Sequence, residues 1–485
     1  MSREYDIVVV GAGLSGVCVG YYLKQYCSDK SFAILEGRDN IGGTWDIFRY
    51  PGIRSDSDMY TFGFSFRPWT NVRSVGTGPE ILQYIKDTAE EFGIDKHIQC
   101  STRVLKESFS SKEGRWSLST SKGEMSCRFL IHCTGYYKYD EGYMPDFAGK
   151  ERFQGRIVHP NVWDTSMDYS GKRVAVVGSG ATAITLVPAL TEKASHVVMV
   201  QRSPTYMIPG ATDDAIVKWL SWLPTSVWFP LVKWKRICQS SFLYWMAKNY
   251  PDRIRTYLLD EAKTHLQGSA DLKHFKPKYG PWEQRLCLAP DGDFFAVIRE
   301  KKASVITGEI KEFDEQGIVM EDGERVDADV VVSATGFNLH ENFPMNDIQT
   351  DIDGVAYDSP GGILHRGTMV ADIPNFAFTL GYINASWSLR VELQCKFICR
   401  VLHEMDARRM AICVPQLPDD VQEGDEPLPL SSGYVARAAH RLPKQGNRDP
   451  WQAHQNVFAD GRILTGGSLD DGLVFTLAGP PLSRL

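Results

Sequence analysis

The chain has 485 residues, too many for one compact core, so two or more domains are expected. Hydrophobic residues make up 43% and the formal net charge is −7; this is an ordinary globular composition, and its acidic balance gives no electrostatic footprint for nucleic acid. The ten cysteines contain no C-x-x-C pair, which suits a reducing compartment and argues against a disulfide framework, a metal cage or a dithiol reductase.

The first residues, "MSREYDIVVVGAG", run directly into a strand, without the basic and apolar regions of a signal peptide. A cytoplasmic protein is therefore expected. In "YDIVVVGAGLSG" an apolar strand is followed by Gly11, Gly13 and Gly16 in G-x-G-x-x-G spacing, and "VCVGYYLKQYC" then has helical periodicity. Gly11 permits the tight turn, Gly13 lets a pyrophosphate approach the backbone, and Gly16 lets the helix pack on the strand. The next strand, "SFAILEG", ends in Glu36, whose carboxylate can accept hydrogen bonds from ribose hydroxyls. Strand, glycines, helix, strand and acid in this order predict a dinucleotide site.

Further on, "FLIHCTGYY" is a strand ending in Thr134-Gly135, and "VVVSATGFN" one ending in Thr335-Gly336. Between them lies "FQGRIVHPNVWD", with Gly155, His159 and Trp163 at fixed offsets, just ahead of a second glycine loop, "KRVAVVGSGATAITLVPAL". Gly178 and Gly180 hold the first two loop positions, and Ala183 takes the third, a permitted replacement. The following strand, "HVVMVQRSPTY", ends in Gln201-Arg202 where an acid would mark NAD. A guanidinium pairs with a 2′-phosphate that a carboxylate would repel, so this loop reads as an NADP(H) site; the alternative is that Arg202 is a solvated surface charge.

After Pro209 the periodicity becomes helical and aromatic, with Trp219, Trp222, Trp228, Trp234 and Trp245, and with Lys218, Lys233, Lys235 and Arg236. Pro224 and Pro230 are expected to break the run, which is too interrupted to cross a membrane. Three readings stand for it: a wall of a substrate tunnel, a peripheral membrane contact, or plain packing. "LPDDVQEGDEPLPLSSG" is a polar, Pro-rich loop, and the terminal "SRL" resembles a variant peroxisomal address, a three-residue match that chance also supplies.

With these motifs in place, the chain resembles the class B flavoprotein monooxygenases. More narrowly it is similar to the type I Baeyer–Villiger monooxygenases, in the subgroup of the mycobacterial ethionamide-activating monooxygenase. The two glycine loops flank the family fingerprint at Phe153, Gly155, His159, Trp163 and Asp164. The stretches "GGTWDIFRYPGIRSDSDMYTFGFSFRPW", "YGPWEQRLCLAPDGDFF", "GYINASWSLR" and "PWQAHQNVF" carry the resemblance over nearly the whole chain. It implies an α/β fold with two Rossmann-like domains. The FAD domain would occupy residues 1–145 and 337–485, and the NADP domain 146–336 with a helical insert at about 209–284.

The implied activity consumes NADPH and O2 and converts hydrophobic ketones to esters or lactones, with sulfur oxidation as a side activity. Reduced FAD would form a C4a-peroxide that must stay anionic, which calls for a permanent positive charge in a dry site. The resemblance assigns that charge to Arg285, with Asp56 as counter-charge; by pattern alone Arg285 could equally be a structural ion pair. It places His159 in the catalytic set, coupling domain movement to chemistry rather than touching substrate. The residue-level alternative is a packed linker histidine, with Trp163 as a core anchor. The resemblance adds cofactor contacts from Gly43, Thr44, Trp45, Asp56, Tyr60, Val104 and Gly135, and from Thr182, Ser203, Thr335 and Trp387. Trp387 by pattern is an ordinary core aromatic. One departure is Gln284, where many relatives carry a lysine that helps hold the 2′-phosphate. The main rival is an N- or S-oxygenating flavin monooxygenase acting on hydrophobic soft nucleophiles. A catalytically dead nucleotide-binding regulator is the other. A monomer or weak homo-oligomer is expected.

Overall fold

The structure, a computed structural model, describes residues 3–340, 342–357, 362–424 and 432–481. The strand Arg3–Val10 lies inside a nine-stranded sheet, paired in parallel with Phe32–Leu35 on one side and Gly123–His132 on the other. The order of strands reverses there, and ligands of open α/β sheets bind beyond the carboxyl ends of strands at such a point. Antiparallel strands Arg115–Thr120 and Val104–Ser110 extend the sheet, and Gln349–Ile352 and Phe376–Phe378 return to it from much later in the chain. The inner strands read as continuous apolar runs because both their faces are covered. One face carries the helix Leu14–Tyr26 packed against Trp387–Ala407.

The second sheet has five parallel strands in the order Ala303–Thr307, His196–Gln201, Arg173–Val177, Val330–Ser333, Arg156–Val158. The helix Ala181–Leu190 follows its glycine loop and packs over it. The α/β expectation with two Rossmann-like units therefore holds. The chain passes between the two sheets twice, and the strands Tyr137–Gly142 and Phe337–Leu339 at these crossings pair antiparallel, side by side.

The strand Met207–Gly210 pairs with Cys287–Pro290. Between them run the helices Ala215–Leu220, Thr225–Asn249 and Pro251–Leu266. Pro224 is the N-cap of the long helix, but Pro230 lies inside it and does not break it, contrary to expectation. A proline at that place removes one backbone hydrogen bond in the second turn, and the apolar inner face of the helix, packed on the core through Trp228, Phe229 and Val232, outweighs the loss. Two cations of this segment are also not solvated as their sequence suggests. Lys233 is buried, donating to the Gly63 carbonyl (3.0 Å) and Ser65 Oγ (2.9 Å) and facing Glu392, while Arg236 pairs with the buried Asp214. Among the described residues no helix is long and apolar enough to cross a membrane. The "SRL" terminus and the middle of the Pro-rich loop lie outside the described residues.

Candidate active site

Both glycine loops open onto one cleft of about 600 Å³, within the usual size of cofactor sites. Gly11 turns the first loop at φ +103°, and a Cβ there would lie 2.5 Å from the Cys133 carbonyl oxygen. A Cβ on Gly16 would lie 1.9 Å from the Gly11 oxygen, so this residue seals helix to strand and stays out of the cleft, while Gly11 and Gly13 line it. Gly13 is the N-cap of Leu14–Tyr26 and supplies no side-chain cap, so the first N–H groups of the helix are left to a ligand. The second loop repeats the device: Gly180 caps Ala181–Leu190 without a side chain, no acid occupies its first turn, and open space surrounds it.

Glu36 forms a buried part of the cleft wall, accepting from Ala12 N and Arg38 N, each at 2.9 Å. A carboxylate has about four acceptor positions, so two remain for hydroxyls. Gly43, Thr44, Trp45, Val104 and Gly135 also line the cleft, with Thr44 Oγ1 3.0 Å from the Tyr139 hydroxyl. Cradle, carboxylate and uncapped helix start fit a dinucleotide at the first loop, and cradle and uncapped helix start do so at the second.

Asp56 and Arg285 meet on the same cleft, Nη1 donating to Oδ2 at 3.3 Å. Asp56 comes from the loop before the short helix Met59–Phe62, and Arg285 from the loop before Cys287–Pro290. Trp282 precedes the arginine at φ +65°, a left-handed conformation that costs a bulky residue energy and shapes this turn. Trp387, the first residue of its helix, lines the cleft and donates from Nε1 to Ser15 Oγ at 3.0 Å, with Tyr136 beside its ring.

Other expected residues lie outside the lining. Tyr60 is fully buried, its hydroxyl donating to the carbonyls of Asn71 and Val72 at 2.8 Å, because its helix turns it toward the core and Trp228. Gly178 is the turn of the second loop; a Cβ there would lie 2.3 Å from the Ala334 oxygen. Ser179 Oγ donates to the Ser203 carbonyl (2.7 Å), tying that loop to the end of strand His196–Gln201, where Arg202 is exposed. Gln201, in the place of the missing acid, is buried and donates to the His274 carbonyl (2.7 Å) and Thr307 Oγ1 (2.9 Å). Thr335 donates to the Tyr143 carbonyl at 2.6 Å; Thr182, by contrast, lines the cleft.

His159 does not reach the cleft. Its Nε2 is 3.2 Å from the Gly336 carbonyl, its Nδ1 accepts from Asn161 N, and burial lowers its pKa, so the neutral ring donates from Nε2. The ring sits against Gly142, where a Cβ would lie 1.9 Å from Cε1. The histidine thus binds the linker to both crossings. Trp163 packs on the second core near Tyr169.

Sequence reasoning passed over Tyr50, Arg54, Tyr139 and Asn346, all of which line the cleft. Arg54 pairs with Asp293 and joins the two halves, and burial pushes the Tyr50 hydroxyl up to about 12 although Thr182 hydrogen-bonds it. Asn346 donates to the Gly135 carbonyl at 2.6 Å. The first two stand in the stretch "FRYPGIRSD", but nothing local distinguishes them from surface residues.

Residues 9–75 match an NAD(P)-binding Rossmann-like domain, and residues 75–405 match the model of the flavin-binding monooxygenase-like family. Among similar proteins, the FAD-containing monooxygenase EthA of Mycobacterium tuberculosis is 44% identical over 99% of this chain and 100% of its own. A probable FAD-binding monooxygenase, AlmA of Acinetobacter baylyi, is 41% identical over 98% of this chain and 96% of its own. In fold, an oxidized steroid monooxygenase bound to NADP is similar at a TM-score of 0.76 and 23% identity, covering 98% of this chain and all (100%) of that one. A cyclohexanone monooxygenase from Rhodococcus bound to NADP+ has the same TM-score of 0.76 at 19% identity, covering 99% of this chain and 100% of that one. A model matched over most of the length, and relatives of this identity over the full length, establish that the chain belongs to the flavin-binding monooxygenase-like family.

Proposed function

We propose that this flavin monooxygenase is a Baeyer–Villiger enzyme, using FAD, NADPH and dioxygen to insert oxygen beside the carbonyl of hydrophobic ketones. The observation that carries this reading is the Arg285–Asp56 pair, drawn from distant parts of the chain onto the cleft where both glycine loops open. Bound FAD supplies the redox chemistry, taking hydride from NADPH and passing electrons to dioxygen.

The chain's own residues do the rest. The loop at Gly11 and Gly13, with the helix start behind it, holds the FAD pyrophosphate, and Glu36 accepts its ribose hydroxyls. The loop at Gly180 does the same for NADPH, and Arg202 pairs with the 2′-phosphate. Arg285 keeps a permanent positive charge where negative charge develops on oxygen, and Asp56 balances that charge at other stages. Trp387 and Tyr136 form an aromatic wall that limits water. The division into an FAD domain (residues 1–145 and 337–485) and an NADP domain (146–336) accompanies this assignment. The paired strands at the crossings support it.

The test is product analysis with purified enzyme, NADPH and a panel of ketones and sulfides. Esters or lactones, formed in step with NADPH consumption, are the expected result. Sulfoxides or N-oxides with no ester from any ketone would assign the chain to the N- or S-oxygenating branch.

A further inference from the structure

The outer face of the helical insert is largely exposed, with Phe458 stacked on Trp234. On the helix Thr225–Asn249, the residues Val227, Leu231, Trp234, Cys238, Phe242 and Trp245 recur in steps of four, three, four, four and three, so they form one stripe along the helix. All six are exposed. A second stripe, on the opposite side, is buried in the core. Just before this helix stand Trp219 and Trp222, 72% and 75% exposed, and Phe458 continues the surface by stacking on Trp234. A contiguous exposed aromatic surface of this extent is unusual on a protein with nothing to bind.

Charge indicates the occupant. From Ala215 to Pro251 the sequence holds four lysines, one arginine and no acidic residue, in a chain whose net charge is −7. Lys233 and Arg236 are used internally, so the solvent-facing cations are Lys218, Lys235 and Lys248. On a helical wheel Lys235 and Lys248 flank the apolar stripe on either side; Lys248 also reaches the Trp282 carbonyl at 3.4 Å, and Lys218, beside the exposed tryptophans, reaches Asp213 at 2.7 Å. An apolar stripe rich in tryptophan, bordered by lysines, is the pattern of a helix lying in a membrane interface. The face is also held rigidly from behind by the buried Lys233–Glu392 contact and by Trp228 and Phe229.

We propose that the helical insert docks flat on an anionic lipid bilayer, with Trp219, Trp222 and the stripe from Val227 to Trp245 in the interface and Lys235 and Lys248 on the headgroups. This goes beyond the oxygenation reaction and does not depend on it.

The experiment is co-sedimentation of the flavin-loaded, full-length protein with vesicles of phosphatidylglycerol and phosphatidylcholine in equal parts, and of phosphatidylcholine alone. Binding to the anionic vesicles is expected, weakening with salt. The pair Lys235→Gln, Lys248→Gln should lower partitioning by about thirtyfold. Trp219→Ser with Trp222→Ser should lower it on the order of tenfold or more. Both pairs change exposed residues, and unchanged circular dichroism and flavin content control for folding. A fluorophore on Cys238, in a Cys100→Ser background, should shift to the blue when vesicles are added; Cys238 is the exposed thiol, Cys100 is half-buried and the other eight are buried. Parent protein that stays in the supernatant overturns the proposal, as does an unshifted Cys238 label. Sedimentation undiminished in both pairs would place the lipid contact elsewhere and also overturn it. So would a concentration-dependent dimer, lost in the tryptophan pair, with no vesicle binding; that result makes the face a contact between copies.

Discussion

Arg285→Ala separates a structural role for this arginine from a chemical one, because the two differ in size. The pair with Asp56 spans 3.3 Å, and its side chains are 30% and 44% exposed. An ion pair this open contributes at most about 1 kcal/mol to stability, and salt screens it. The melting temperature should therefore fall by no more than a few degrees, and FAD should remain bound, since the Gly11 loop and Glu36 are untouched. If the guanidinium faces the negative oxygen of the reaction, its removal costs a preorganised charge, about 3 kcal/mol or roughly a hundredfold in rate. Lysine should rescue poorly, because a point charge lacks the planar fork. Asp56→Ala should act in the same direction but more mildly. The assay is ester formation by gas chromatography, alongside stopped-flow absorbance to follow flavin reduction by NADPH on its own. Sulfoxidation should survive better than ketone oxidation. Near-parent ester formation in Arg285→Ala would refute the reasoning, and a large loss of stability would show the pair to be structural.

Arg202→Ala should raise KM for NADPH by about ten- to a hundredfold, the scale of one charge-assisted hydrogen bond of about 1–3 kcal/mol, and leave NADH almost unaffected; equal losses with both would make Arg202 a surface charge only. The parent protein should purify yellow, and Glu36→Ala should lose FAD on gel filtration, read as the ratio of flavin to protein absorbance. His365 is fully buried, and burial pushes its pKa down to about 3, against about 6.5 when unfolded. Between those values the unfolded chain binds the extra proton, so stability falls as pH drops from about 6.5 toward about 3; His365→Gln should flatten the dependence of the urea midpoint on pH across that window.

What could be read from the sequence was local. Each glycine loop needs a strand, a tight turn and a helix start within a few residues, and Glu36 closes the unit one strand later, so spacing alone carried the chemistry. Arg285 and Asp56 are 229 positions apart, and no periodicity connects them; the resemblance selected them and the fold brings them together. The same distance problem hides the partners of the insert's cations. Lys233 looks like a solvated cation until Glu392, 159 positions away, is seen beside it, and Arg236 until Asp214 is found under it. Tyr60 sits in a stretch that otherwise faces the cleft, yet the helix Met59–Phe62 rotates it into the core. Tyr50 and Arg54 were missed for the converse reason: their partners Thr182 and Asp293 belong to the other sheet's half of the molecule.

The same logic explains a histidine and a tryptophan beside a nucleotide loop. The segment Phe153–Asp164 contributes the edge strand Arg156–Val158 to the second sheet, and its remaining residues must connect that sheet to both crossings. Trp163 fixes one end by burying its ring against the second core. His159 fixes the other by donating to Gly336 and filling the space over Gly142, one residue on each crossing strand or turn. Because a backbone carbonyl carries no charge, this contact is a hydrogen bond and not an ion pair, worth about 1 kcal/mol. Gly336 itself lines the cleft, at φ +111°. A hydrogen bond to a carbonyl and a close fit over Gly142 therefore hold the linker at the crossings without burying a charge, which a salt bridge there would require.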